Sequence, residues 1–121
     1  MKPSIVSFGK ILIEQVRDAS ITSLNMLLDN KFPNSMTNKY LHRMKRQGTD
    51  KYQKALIACC VDDTLACLMS AVDEKILNIT YIDKNGESVN LAEELGGELA
   101  GWYYEWCEIY SKELVPDKEK I

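Results

Sequence analysis

The chain is poor in the residues that do most enzyme and metal chemistry. It has a single histidine, His42, in 121 residues. His42 stands beside Lys39, Arg43, Lys45 and Arg46 with no acidic neighbour to orient it, so a histidine-based nucleophilic triad finds no support. The four cysteines include no Cys-x-x-Cys pair, and a zinc site would need about four converging ligands. Gly96-Gly97 is flanked by Glu93, Glu94 and Glu98, the wrong charge for a loop that cradles phosphate. No apolar run approaches the roughly 20 residues that span a bilayer. The start carries no export signal: Lys2 is a weak basic region, and Ser7, Gly9 and Lys10 interrupt the stretch from Ile5 to Ile13. These absences predict a cytoplasmic protein without cofactor or metal, one that binds and does not catalyse.

Charge is present in quantity, and it is sorted along the chain. Residues 1–60 hold ten Lys/Arg against four Asp/Glu, and residues 61–121 hold five against fourteen. The net charge of −3 conceals this division. A small protein with one acidic and one basic stretch is suited to meeting something charged.

The periodicity predicts a mainly α fold: a single-domain helical bundle of about four helices, with one small β-hairpin near 76–91. The domain is expected over 1–115, with 116–121 as a flexible tail. From Ser4 to about Asn30, Ile5, Phe8, Leu12, Val16 and Ala19 share one face at 100° per residue. The stripe then rotates to Ile21, Leu24, Leu27 and Leu28. The helix either bends near Asp18-Ala19-Ser20 or touches two neighbours. A short basic helix is expected from Thr37 to Gln47, stopped by Gly48.

Asp50 to Glu74 predicts a central, mostly buried helix, with Tyr52, Ala55, Leu56, Cys59, Cys60, Ala66, Leu68, Met69 and Val72 as its apolar positions. All four cysteines are expected to be reduced, with Cys59, Cys60 or Cys67 at least partly buried. Asp83-Lys84-Asn85-Gly86 signals the hairpin turn, with Gly86 at positive φ. Asn90 is placed to cap a short helix ending near Leu95. Leu99, Trp102, Tyr103, Trp106, Ile109, Tyr110 and Leu114 form an aromatic-rich stripe on a last helix from Glu98 to Leu114. Tyr103, Tyr104 and Tyr110 cannot all face inward along with both tryptophans.

Two charged pairs sit inside apolar helices: Arg17-Asp18 and Asp62-Asp63. Charges are rarely buried without partners. The simplest resolution is an ion pair between Arg17 and Asp62 or Asp63. A catalytic pair of carboxylates would need two segments facing each other, because neighbours on one helix point about 100° apart.

The acidic second half has two readings, a solubilising face or a mimic of nucleic-acid phosphates. On the second reading Asp83, Glu87, Glu93, Glu94 and Glu98 are the partner-binding candidates, with an exposed tyrosine from 103–110, Tyr103 first, as an apolar anchor. The basic stretch Lys39–Lys54 offers a rival reading, a nucleic-acid-associated regulator. A small helical enzyme using Asp62 and Asp63 is the third.

Val16-Arg17-Asp18-Ala19-Ser20-Ile21, Val61-Asp62-Asp63-Thr64-Leu65 and Gly101-Trp102 resemble segments of small bacterial proteins from toxin–immunity systems, including contact-dependent growth inhibition. The resemblance implies an immunity protein whose partner is a cognate toxin domain, a nuclease, neutralised by occlusion of its basic active site. The acidic total and the absence of a long apolar run predict no direct contact with nucleic acid or membrane. The family shares no binding motif, so the resemblance transfers no binding residue.

Overall fold

The first helix carries a fault in its winding, and the rest of the molecule packs around it. The computed structural model describes residues 1–29, 50–113 and 115. The expected basic helix Thr37–Gln47, its stop Gly48, His42 and the tail 116–121 lie outside the described residues.

Helix α1 spans Pro3–Ile11, with Pro3 in its first turn where a missing N–H costs nothing. A π-helical turn follows over Leu12–Arg17, and α2 continues over Asp18–Leu28. The Asp18 N–H reaches back five residues to the Ile13 carbonyl. Such a turn holds one residue more than an α turn, so it sets the buried face back by roughly 100°. This is the physical reason for the rotated stripe. Ile5, Leu12, Ile13, Arg17 and Ile21 thereby come to one buried side. Val16 and Ala19, expected on that side, face solvent instead.

Helix α3 runs Asp50–Asp73. It was expected to be mostly buried, but its inward side is narrow: Ala55, Ala58, Met69 and Val72, with Gln53 and Asp62. Tyr52, Leu56, Cys59, Cys60, Cys67 and Leu68 are exposed. Its apolar residues surround the helix, and the core meets only one side of it. Against the expectation that no apolar run approaches a membrane-spanning length, Tyr52–Asp73 of α3 is long and apolar enough to cross a membrane by length and composition alone. Of the cysteines only Cys107 is buried, and none of the four is in a disulfide.

The hairpin consists of β1 (Thr80–Ile82) and β2 (Ser88–Asn90), antiparallel, with Tyr81 opposite Val89. It is narrower than the 76–91 read from sequence. Gly86 at φ +81° closes the turn, and its N–H bonds the Asp83 carbonyl at 3.0 Å. Asn90 accepts the Glu93 N–H at 3.1 Å and caps α4 (Leu91–Leu95).

Helix α5 spans Leu99–Tyr110 and ends four residues before the expected Leu114. Its first turn is capped from α3. Asp73 accepts the N–H groups of Leu99 and Ala100, both at 2.9 Å. The core joins Ile5, Leu12, Ile13, Met69, Val72, Val89, Leu91, Leu99, Tyr103, Trp106 and Cys107. The fold is thus mainly α, with four helices among the described residues, α1, the π turn and α2 counting as one continuous helix, and one hairpin.

Gly9 decides how closely α1 approaches α5. A Cβ there would meet the Trp106 ring at 2.5 Å, so only glycine admits the contact. Phe8 packs edge-on to the same ring at 5.8 Å and tilted to Tyr81 at 5.5 Å. Ser7 hydrogen-bonds the Tyr81 hydroxyl at 3.0 Å. The hairpin is thereby tied to α1.

Candidate functional site

Two polar arrangements stand out, one buried and one exposed. The buried one centres on Arg17, whose side chain is wholly inaccessible. The π turn sets it inward, and α3 and α5 bring its partners. Arg17 Nε donates to Asp62 Oδ1 at 2.6 Å and Nη2 to Oδ2 at 3.1 Å. This is the two-pronged geometry in which a guanidinium holds a carboxylate best. Nη1 donates to Asp18 Oδ1 and to Ser111 Oγ, each at 2.8 Å. Tyr103 donates its hydroxyl to Asp62 Oδ1 at 2.6 Å, and Cys107 Sγ lies 4.0 Å from the same oxygen.

Asp18 also accepts the Lys112 N–H at 2.7 Å. That bond, with Ser111 Oγ at 3.0 Å from Asp18 Oδ1, draws the chain out of helix after Tyr110. Of the two aspartates offered by sequence, Asp62 takes the pair. Asp63 is turned to solvent and has no part in it.

The electrostatics fit a closed network. Burial alone would lower the Arg17 guanidinium, but the hydrogen bond and charge of Asp62 outweigh it and hold it above its ordinary value. Burial, reinforced by the bond to Asp62, pushes the Tyr103 hydroxyl far up. Burial pushes the Cys107 thiol up to about 11. Such a thiol is protonated at neutral pH and is no nucleophile. A cleft of about 140 Å³ opens beside the network, lined by Asp62, Asp63, Cys107 and Glu108 among others. It is smaller than the ~300 Å³ at which ligand pockets begin, whereas on the Asp18 side of the network an open cavity of about 530 Å³ is lined by Glu14, Asp18, Thr22, Met26, Lys112 and Glu113. Among the described residues no three His, Cys, Asp or Glu side chains converge as metal ligands.

The exposed arrangement follows the chain from the hairpin into α5. Glu87, Glu93, Glu94 and Glu98 are all exposed. Glu94 pairs with Lys2 at 2.7 Å, and Lys2 is held above its ordinary value by that bond, with a smaller contribution from Glu87.

The structure sorts the remaining candidates. Asp83 is half-buried, and its Oδ1 accepts the N–H groups of Asn85 and Glu87, both at 2.9 Å. Its work is in the turn. Tyr103, offered as the surface anchor, is fully buried. Its phenol donates to Asp62 from within the core, and its neighbour Tyr104 is the exposed one, at 45%. In the basic stretch, Lys54 pairs with Asp29 at 3.4 Å. Sequence reasoning missed Ser111 as a partner of Arg17 and Asp18, because nothing local marks it. Compared with protein-family models, curated proteins and solved structures, the chain matches none of them.

Proposed function

We propose that this chain is an immunity protein: it binds a cognate bacterial toxin domain, a nuclease, and occludes its basic active site. The observation that carries this reading is the run of exposed carboxylates at Glu87, Glu93, Glu94 and Glu98 along the hairpin, α4 and the start of α5. Glu87, Glu93 and Glu98 make no ion pair among the described residues. They are available to lysines and arginines that would otherwise hold phosphates. Charge displayed in this way speeds encounter and selects basic partners.

The state of the other carboxylates supports binding over catalysis. Asp62 is bonded on both oxygens, Asp73 caps α5 and Asp83 shapes a turn. Acid–base chemistry needs a carboxylate that reaches a substrate, and these three are committed to the fold.

The test is co-expression with the C-terminal domain of a large secreted protein, should one be encoded immediately upstream of this gene. The expected result is survival of the host and recovery of a one-to-one complex whose nuclease activity is suppressed. Survival without complex formation, or no protection at all, would overturn the proposal.

A further inference from the structure

We infer that the cleft between the end of α3 and the start of α4 binds a free α-amino acid with an apolar side chain. The cleft has a volume of about 300 Å³ and is lined by Lys75, Leu77, Asn78, Asn90, Ala92 and Glu93. That volume stands at the lower edge of the range for small-molecule sites.

The lining carries one charge of each sign. Among the described residues neither Lys75 nor Glu93 is in an ion pair, so opposite charges border one cleft without meeting. A ligand that bears both charges satisfies both, whereas a ligand with one charge sets it against its like. The two asparagines add direction. Asn90 donates its side-chain N–H to Asn78 Oδ1 and accepts the Glu93 N–H at 3.1 Å. With its oxygen engaged as an acceptor, Asn78 keeps Nδ2 as a donor for a carboxylate. The ligand carboxylate thus belongs with Lys75 and Asn78, its ammonium with Glu93, and its side chain along Leu77 and Ala92. A ligand bound in this way occupies Glu93 and leaves Glu87 and Glu98 to the partner surface.

The backbone gives an independent reason. Lys75 has φ +63°, and it is the only non-glycine residue at positive φ among the described residues. Its N–H bonds the Val72 carbonyl at 3.0 Å, and the Ile76 N–H bonds the Ala71 carbonyl at 2.9 Å. This is the helix stop that glycine fills without strain. Glycine would make the same two backbone bonds, so the turn does not call for lysine. The charge that Lys75 brings to the cleft does, and strain kept at one residue is characteristic of a working site.

Amide chemical shifts of the full chain, titrated with L-leucine, are expected to move at Lys75, Leu77, Asn78 and Ala92. They should saturate in the millimolar range, as suits a ligand this small. Isoamylamine and isocaproate each keep one of leucine's two charges, and each should bind at least tenfold more weakly. Lys75→Gly should raise the urea midpoint, since it relieves the left-handed residue, and should weaken leucine binding at least tenfold. Glu93→Gln should weaken it as much, and this exposed change keeps the test standing if Lys75→Gly misfolds. Shifts that stay still in millimolar leucine, a single-charge analogue that binds as well as leucine, or undiminished binding by Lys75→Gly or Glu93→Gln would overturn the inference.

Discussion

Arg17 and Asp62 meet through two hydrogen bonds, at 2.6 and 3.1 Å, although 45 residues separate them and both are buried. Asp62 Oδ1 also takes the Tyr103 hydroxyl, so three helical segments are fastened at one oxygen. Removing one partner strands the other charge in the core. Arg17→Ala is expected to cost about 3–5 kcal/mol. Tyr103→Phe, which leaves the guanidinium in place, is expected to cost about 1.5–3 kcal/mol. The double replacement Arg17→Met/Asp62→Leu should cost clearly less than its two single changes summed, because neither member of the Arg17–Asp62 pair is left behind as a buried charge, and Asp18 keeps its bonds to Ser111 and the Lys112 N–H. Urea unfolding of the double variant, its two single variants, Arg17→Ala and Tyr103→Phe checks this. Strict additivity would show that the pair is not coupled.

Gly9 lies within α1, where alanine normally gains about 0.5–1 kcal/mol over glycine. Here the sign reverses. The added methyl would meet the Trp106 ring at 2.5 Å, and that ring is itself buried and pressed by Phe8. Gly9→Ala is expected to destabilise by about 1–3 kcal/mol. Adding Trp106→Leu should recover part of the loss relative to Trp106→Leu alone. A thermally more stable Gly9→Ala protein would mean that α1 and α5 do not approach as described.

The helices among the described residues, the hairpin turn and the Arg17–Asp62 pair were legible in the sequence because each rests on a local signal or a local conflict. Charges inside apolar runs need partners, and Asp-Lys-Asn-Gly needs a turn. Which of Asp62 and Asp63 would pair was not legible, since it depends on the rotation of α3 against a helix whose own winding slips by one residue. The π turn left its trace as a rotated stripe, but a pattern read at 100° per residue shows a change of face without its cause. The exposure of Cys59, Cys60 and Cys67 was missed for a related reason. A helix apolar all round reads as central, and only its neighbours decide how much of it they cover. The acidic face was counted too generously, because a carboxylate that caps a helix or shapes a turn looks in sequence like any other.

Alkaline pH should loosen the fold. The Cys107 thiol is raised by burial from an ordinary 9.0 to about 11, so the folded state keeps a proton that the unfolded chain has already released. The stability this contributes is whole below pH 9 and is lost as pH rises to about 11, up to roughly 2–3 kcal/mol. Tyr103 adds to the loss in the same direction above its ordinary value near pH 10. The urea midpoint of the wild type should therefore fall from pH 8.5 to 11. In Cys107→Ala the fall should be shallower, with the Tyr103 part remaining. Parallel pH profiles for the two proteins would remove Cys107 as the source.

The partner surface can be tested with residues that do no work in the fold. Glu87, Glu93 and Glu98 are exposed and make no ion pair among the described residues, whereas Asp83 and Glu94 are engaged. Reversing the three to lysine changes the local charge by six while sparing the turn and the Lys2 contact. Against a toxin domain with a basic site, association should slow by at least tenfold at low salt, and nuclease protection should weaken with it. The difference should shrink as added salt brings the screening length below about 10 Å. Circular dichroism should be unchanged, since none of the three side chains packs in the core. Stopped-flow association at two salt concentrations provides the measurement. Equal rates for wild type and the reversed protein at low salt would reduce these carboxylates to a solubilising face. The search for the binding surface would then move to the basic residues between Lys39 and Lys54.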